Sequence, residues 1–162
     1  MKAAVFHAPN QPLTIEEVAI NRPEPREVLL RTAFAGLCHS DLHFMELFPI
    51  PTPVVLGHES SAVVVAVGEG ITYVEPGDHV ITCPSVFCGA CPLCLTGHAN
   101  LCENTEVRLA PGQARRMTWK GGESLGGAES GGLPTFAGTS LGDKVAPIAA
   151  VRRTSGTDGA GR

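Results

Sequence analysis

The sequence predicts a mainly β chain folded as an antiparallel barrel. Three observations carry that reading. Short apolar, β-branched runs recur at close spacing, 13 prolines and 19 glycines punctuate them as turns, and no apolar 3.6-residue period lasts long enough for a long helix.

The elements follow in order. Residues 2 to 7 read as a first strand, stopped by Pro9-Asn10-Gln11-Pro12. Leu13 to Ile20 alternates loosely through Leu13, Ile15, Val18 and Ile20 until Pro23 and Pro25 break it. Val28 to Ala35 is the next strand and leads into Gly36-Leu37-Cys38. Ser40 to Met45 has room for one or two helical turns, with Ser40 as the expected N-cap. A proline-rich loop, Pro49 to Pro53, precedes Val54-Val55-Leu56-Gly57-His58-Glu59. Ala62 to Val67 is an unbroken apolar run, which suits a strand buried on both faces or nearly so. Gly68-Glu69-Gly70 and Pro76-Gly77-Asp78 are turns, and His79 to Thr82 is a further strand.

Beyond Lys120 the composition changes. Residues 121–162 hold 11 of the 19 glycines, one aromatic residue (Phe136), and neither Cys nor His. Such a stretch buries too little surface to offset its ordering entropy, so residues 1–120 are expected to be the folded domain and 121–162 a largely disordered tail.

The densest chemical signal is Cys88-Gly89-Ala90-Cys91-Pro92-Leu93-Cys94, followed after seven residues by Cys102. Two C-x2-C steps share Cys91. Zinc needs four donors at tetrahedral angles, about 2.3 Å from sulfur, and a C-x2-C bend places two thiolates on one side of a turn. A lobe over residues 85 to 104 is therefore expected to hold a closed, structural zinc. Two rival readings are weaker. C-x2-C-x2-C also opens an iron–sulfur motif, but the bacterial run continues with three residues and then Cys-Pro, whereas Glu103 follows Cys102 here. A disulfide reading conflicts with a reducing compartment.

Composition narrows the function classes. Sixteen acidic against twelve basic residues leave a formal net charge of −4, which opposes nucleic acid or an anionic membrane as partner. No apolar run reaches the roughly eighteen residues of a membrane span. Met1 to Phe6 enters a strand pattern without a signal h-region, so a cytoplasmic protein is expected. Hydrophobic content of 43% supports a core, although aromatic residues make up only 5%.

A second constellation joins Cys38-His39-Ser40-Asp41-Leu42-His43 to Gly57-His58-Glu59. Each alone has a plainer reading, Cys38 as buried filler and His58 as a satisfied polar residue. Together, at the ends of neighbouring strands, they offer a thiolate and an imidazole to one zinc with an open position.

These motifs resemble, in order, the N-terminal GroES-like domain of zinc-dependent medium-chain alcohol dehydrogenases. The resemblance covers residues 1 to 121 and rests on Gly36 to Asp41, Gly57-His58-Glu59, Val67 to Gly70, Pro76 to Val80 and the four-cysteine lobe. It implies a partly open barrel with short helices. It also implies that Cys38 and His58 are ligands of a catalytic zinc and that Glu59 is the carboxylate beside it. Asp41 would fix the tautomer of His58, and Ser40 and His43 would relay a proton from alcohol to solvent. Cys88, Cys91, Cys94 and Cys102 match the family's structural zinc lobe. The implied reaction oxidises a small alcohol, or reduces an aldehyde, by hydride transfer to or from NAD or NADP. A homo-oligomer is implied only for the full-length family.

The sequence departs from the family in three places. Ala62 stands where a glycine is usual, and the loop Met45 to Pro49 lacks an expected glycine. No G-x-G-x-x-G turn follows a strand, and no cysteine follows Cys102 to serve as the third catalytic ligand. Cys83 is the only spare thiol and reads as a pocket or core residue. The chain is therefore expected to be truncated before its cofactor domain and inactive alone, with NAD or NADP entering only through that missing part. If closing strands are missing too, a barrel edge stays unpaired. The alternative function is a non-catalytic, zinc-bound structural or interaction module. A nucleic-acid zinc finger lacks both histidine ligands at finger spacing and a basic face.

Overall fold

The computed structural model describes residues 1–47, 50, 52–83, 87–104, 117–119, 121–125, 143–147 and 151–154. Its strands are β1 (Lys2–Phe6), β2 (Thr14–Ile20), β3 (Glu27–Ala35), β4 (Val54–Val55), β5 (Ser60–Val67), β6 (His79–Thr82), β7 (Met117–Trp119), β8 (Glu123–Leu125), β9 (Asp143–Pro147) and β10 (Val151–Arg153). Helix α1 (His39–Glu46) lies between β3 and β4. A short helix α2 (Pro92–Leu95) and a 3-10 turn (Ala99–Leu101) form the cysteine lobe. Among the described residues the strands make two five-stranded sheets, ordered β4-β1-β2-β7-β8 and β10-β6-β5-β3-β9. All their pairings are antiparallel. The mainly β, half-barrel architecture agrees with the expected fold class.

Alternation decides the core. In the first sheet Ala3, Val5, Val18, Val55 and Met117 bury together. In the second, Val28 and Leu30 of β3 meet Ala62 and Val64 of β5 and Val80 of β6, closed from the side by Val74. Fully burying each such aliphatic side chain contributes roughly 1.5–3 kcal/mol. A third cluster, Phe6, Val54 and Leu56, packs against Phe44 and Met45 and so seats α1 on the barrel.

The β3–β5 ladder brings the segments that carry Cys38 and His58 side by side. It runs from Val28 opposite Val67 to Ala35 opposite Ser60, with irregularities at Leu29/Leu30 and Thr32/Phe34. Such bulges bend a strand and re-aim its side chains. Past the second one, Phe34 is 77% exposed although Val28 and Leu30 on the same strand are fully buried. At the other end of the ladder Gly68 donates to the Glu27 carbonyl at 2.8 Å, so close to Glu24 that an added Cβ would collide with the Glu24 carbonyl.

Several expectations change. β5 is buried on one face only, with Ser60, Ala62 and Val64 inward and Val65 37% exposed, because β3 and β6 flank it edge to edge and leave one face uncovered. The Ala62 methyl is accommodated in the core at 3% exposure. α1 begins one residue earlier than Ser40, with Cys38 as its N-cap, since the Asp41 carboxylate accepts from the Cys38 N–H at 3.1 Å. After the proline-rich loop only Val54–Val55 is a strand, and Gly57 to Glu59 is irregular. The loop of Met45 to Pro49 lies partly outside the described residues, as do 126–142, 148–150 and 155–162 of the expected tail. Within the tail, β8, β9 and β10 are described, more regular structure than the composition suggests. β9 pairs with β3, and β10 pairs with β6. Backbone ladders of this kind need no apolar side chains, so glycine-rich composition does not forbid them. The edges of β3 and β6 are thereby covered rather than left unpaired.

Candidate metal centres

The cysteine lobe is built from its own backbone. Pro92 opens α2 after Cys91, and N–H groups of Leu95, Thr96, Gly97 and His98 bond back onto Cys91, Pro92, Cys94 and Leu93. No residue of α2 or the 3-10 turn is buried, and Leu95 and Leu101 are 74% and 56% exposed. The lobe therefore has almost no apolar core, with Cys102 the buried exception at 5%. What it has instead is a thiol quartet. The sulfurs of Cys88, Cys91, Cys94 and Cys102 lie within 4.8 Å of one another. Individual Sγ–Sγ distances are 3.4 Å (Cys91–Cys94), 3.9 Å (Cys88–Cys94) and 3.9 Å (Cys91–Cys102). Four sulfurs about 2.3 Å from one tetrahedral ion stand roughly 3.8 Å apart, so the spacing fits zinc. None of the six cysteines is in a disulfide.

The electrostatics of the lobe are uneven. Backbone N–H groups of Ala90 and Cys91 point at the Cys88 sulfur (3.4 and 3.2 Å) and pull its thiol down to about 6. Hydrogen bonding, first from the Cys94 backbone, also lowers Cys91. Desolvation, and then the Cys91 thiol beside it, push Cys94 up to about 11. Cys102 in turn accepts from the Cys88 N–H at 3.3 Å. A divalent cation would remove this imbalance by taking all four as thiolates.

The second centre is assembled from separate strands. Because Ala35 faces Ser60 across the β3–β5 ladder, Cys38 leaves β3 beside the point where His58 and Glu59 enter β5. One backbone bond, Gly36 N–H to the Glu59 carbonyl at 2.9 Å, ties the two exits together. Gly36 is small for a reason: a Cβ there would come 2.5 Å from Glu59 Oε2. Donor atoms of Cys38, His58 and Glu59 lie within 4.8 Å of one another. Buried Asp41 serves both ligand-bearing segments. One oxygen holds the Cys38 N–H, and the other lies 3.7 Å from His58 Nδ1. Ser40 Oγ is buried without a hydrogen-bond partner among the described residues. An orphaned hydroxyl two residues after Cys38 suits a polar ligand at that end of the helix. His43, half-buried, stands one helical turn beyond Ser40.

An open cleft of about 600 Å³ leads to this centre, lined by Phe34, Gly36, His58, Glu59, Ile81 and Thr82 among others. Thr82 is the residue that sequence reasoning missed. Its hydroxyl donates to the His58 carbonyl at 2.7 Å and accepts from the Ser60 N–H at 3.1 Å, bracing the His58-Glu59 segment. Its partners lie more than twenty residues away in sequence, so no local pattern marks it. Cys83, next to it, is half-buried and belongs to neither donor cluster.

Comparison with known proteins bears on the family and the fold. The sequence model of the family described as alcohol dehydrogenase GroES-like domain matches residues 24–133. An NDMA-dependent alcohol dehydrogenase of Amycolatopsis methanolica is 47% identical, over 63% of this chain and 28% of its own length. An S-(hydroxymethyl)glutathione dehydrogenase of Haemophilus influenzae is 43% identical, over 74% of this chain and 33% of its own. Among solved structures, the alcohol dehydrogenase zinc-binding domain protein from Burkholderia ambifaria superposes with a TM-score of 0.79 at 30% identity, covering 96% of this chain and 42% of that one. The chain thus spans about a third of the length of the curated relatives it matches.

Proposed function

This chain belongs to the alcohol dehydrogenase GroES-like domain family, and on that premise we propose that it is the zinc-binding catalytic portion of an NAD- or NADP-dependent alcohol dehydrogenase. The observation that carries the reading is the meeting of Cys38, His58 and Glu59, with the unpartnered Ser40 hydroxyl two residues along from Cys38. In this reading the lobe cysteines hold a structural zinc, and Cys38, His58 and Glu59 hold a second one. Such a zinc acts as a Lewis acid that lowers the pKa of an alcohol, while a nicotinamide carries the hydride chemistry.

The chain's own residues have distinct parts to play. Asp41 holds the His58 ring in the tautomer that frees Nε2 and pins the Cys38 backbone, so both donors keep their aim. Ser40 Oγ accepts the proton of the substrate hydroxyl and passes its own to His43, which reaches solvent. The open cleft beside Phe34 and Ile81 offers apolar surface to a small alcohol or aldehyde. Six free thiols suit a reducing, cytoplasmic setting.

Zinc stoichiometry with an NADH-binding titration tests the reading. Two zincs per chain, one of them lost in Cys38→Ser, support it, and saturable NADH binding would show that a nicotinamide unit is supplied from elsewhere. One zinc, unchanged by Cys38→Ser, favours the second reading, a non-catalytic zinc-bound interaction module. That reading draws on the lobe, whose four thiols complete a closed site without the rest of the barrel.

A further inference from the structure

Helix α1 carries a pair of imidazoles that neither cysteine-containing centre takes as ligands. His39 is exposed and His43 half-buried, four residues apart and thus one above the other on the same helical stripe. Their rings already meet edge to face, with centroids 4.6 Å apart and planes at 88°. We propose that His39 and His43 form an accessory site for a borderline transition-metal cation, zinc, nickel or copper, distinct from both cysteine-containing centres. Two imidazoles one turn apart on a helix are a recurrent pair of metal donors. Neutral imidazole nitrogen is a preferred ligand of these ions. Each ring has two nitrogens, so one can keep its present contact while the other takes the metal. The rings lie within reach of one ion, and side-chain rotation from the edge-to-face contact would turn a nitrogen of each toward it. Exposed Glu46 stands three residues further along the same helix, but does not lie close enough to the two rings to count as a third donor. A cation held here engages the ring that is assigned the outer proton step, so excess zinc would block that step. This consequence rests on the proposed dehydrogenase function; the binding itself does not.

Equilibrium dialysis of the full chain against buffered zinc, followed by elemental analysis, tests the site. The unaltered chain is expected to retain one zinc equivalent more than His39→Gln and one more than His43→Gln, while His79→Gln, on β6, matches the unaltered chain. A failure of the cysteine centres would lower all four counts alike and leave these differences intact. Equal zinc counts in the unaltered chain and both α1 variants overturn the proposal. So does a loss confined to His43→Gln, which would place that ring at another centre. Because His39 is exposed, His39→Gln leaves the core untouched, and its circular dichroism should equal that of the unaltered chain.

Discussion

The two candidate metal centres of this chain are built in opposite ways. The lobe gathers four thiols from fifteen consecutive residues and buries almost nothing else, whereas Cys38, His58 and Glu59 converge only because β3 and β5 pair and α1 is seated by Phe6, Val54 and Leu56. The first is local chemistry with little hydrophobic support. The second is a product of a hydrophobic core with little local chemistry. Metal should therefore hold the lobe together, while the barrel should hold the second centre together. Stability and metal binding are expected to separate accordingly.

The largest effect should come from the lobe's own ligands. Cys102→Ser, or a chelator, is expected to remove one zinc and to abolish hydrogen-exchange protection at Leu95, Gly97 and His98, since structural zinc in small modules is worth on the order of 10 kcal/mol. Amides of the β3–β5 ladder should stay protected; their simultaneous loss would erase the contrast. Gly68→Ala should do the reverse. The new methyl meets the Glu24 backbone, which cannot swing aside, so denaturant unfolding of the barrel should shift by about 2–4 kcal/mol with the lobe zinc retained. Asp41→Asn is a smaller change aimed only at the second centre. It removes the negative partner of His58, and competitive titration should show zinc held about 10- to 100-fold more weakly there, with the lobe unaffected.

The smallest effect is a difference within the lobe. In metal-free protein the Cys88 thiol is lowered to about 6, so its reactive thiolate predominates above that pH, whereas Cys94, raised to about 11, stays protonated at neutrality. Alkylation followed by mass mapping should modify Cys88 at pH 7 well before Cys94, and acidifying below about pH 6 should slow Cys88 first. Equal rates at the two positions would mean that the backbone N–H groups of Ala90 and Cys91 do not bias the quartet.

How much of this could be read from the residues differs between the regions in the same way as their construction. The C-x2-C-x2-C run and its distant fourth thiol point to a tetrahedral site by spacing alone, because every candidate ligand is near in the chain. Strand positions were legible too: β6 spans His79–Thr82 as the apolar run suggests, and β3 differs by one residue. Three features needed the fold. The one-sided burial of β5 depends on which strands flank it, and an unbroken apolar run cannot announce that. Thr82 braces His58 from a different strand, through a hydroxyl that looks like any other. The strands β9 and β10 contain no glycine themselves, but they lie in a glycine-rich stretch whose overall composition concealed them. Ligand identity and short-range spacing are written along the chain. Which distant groups share one site is decided only when antiparallel pairing and core packing bring them face to face.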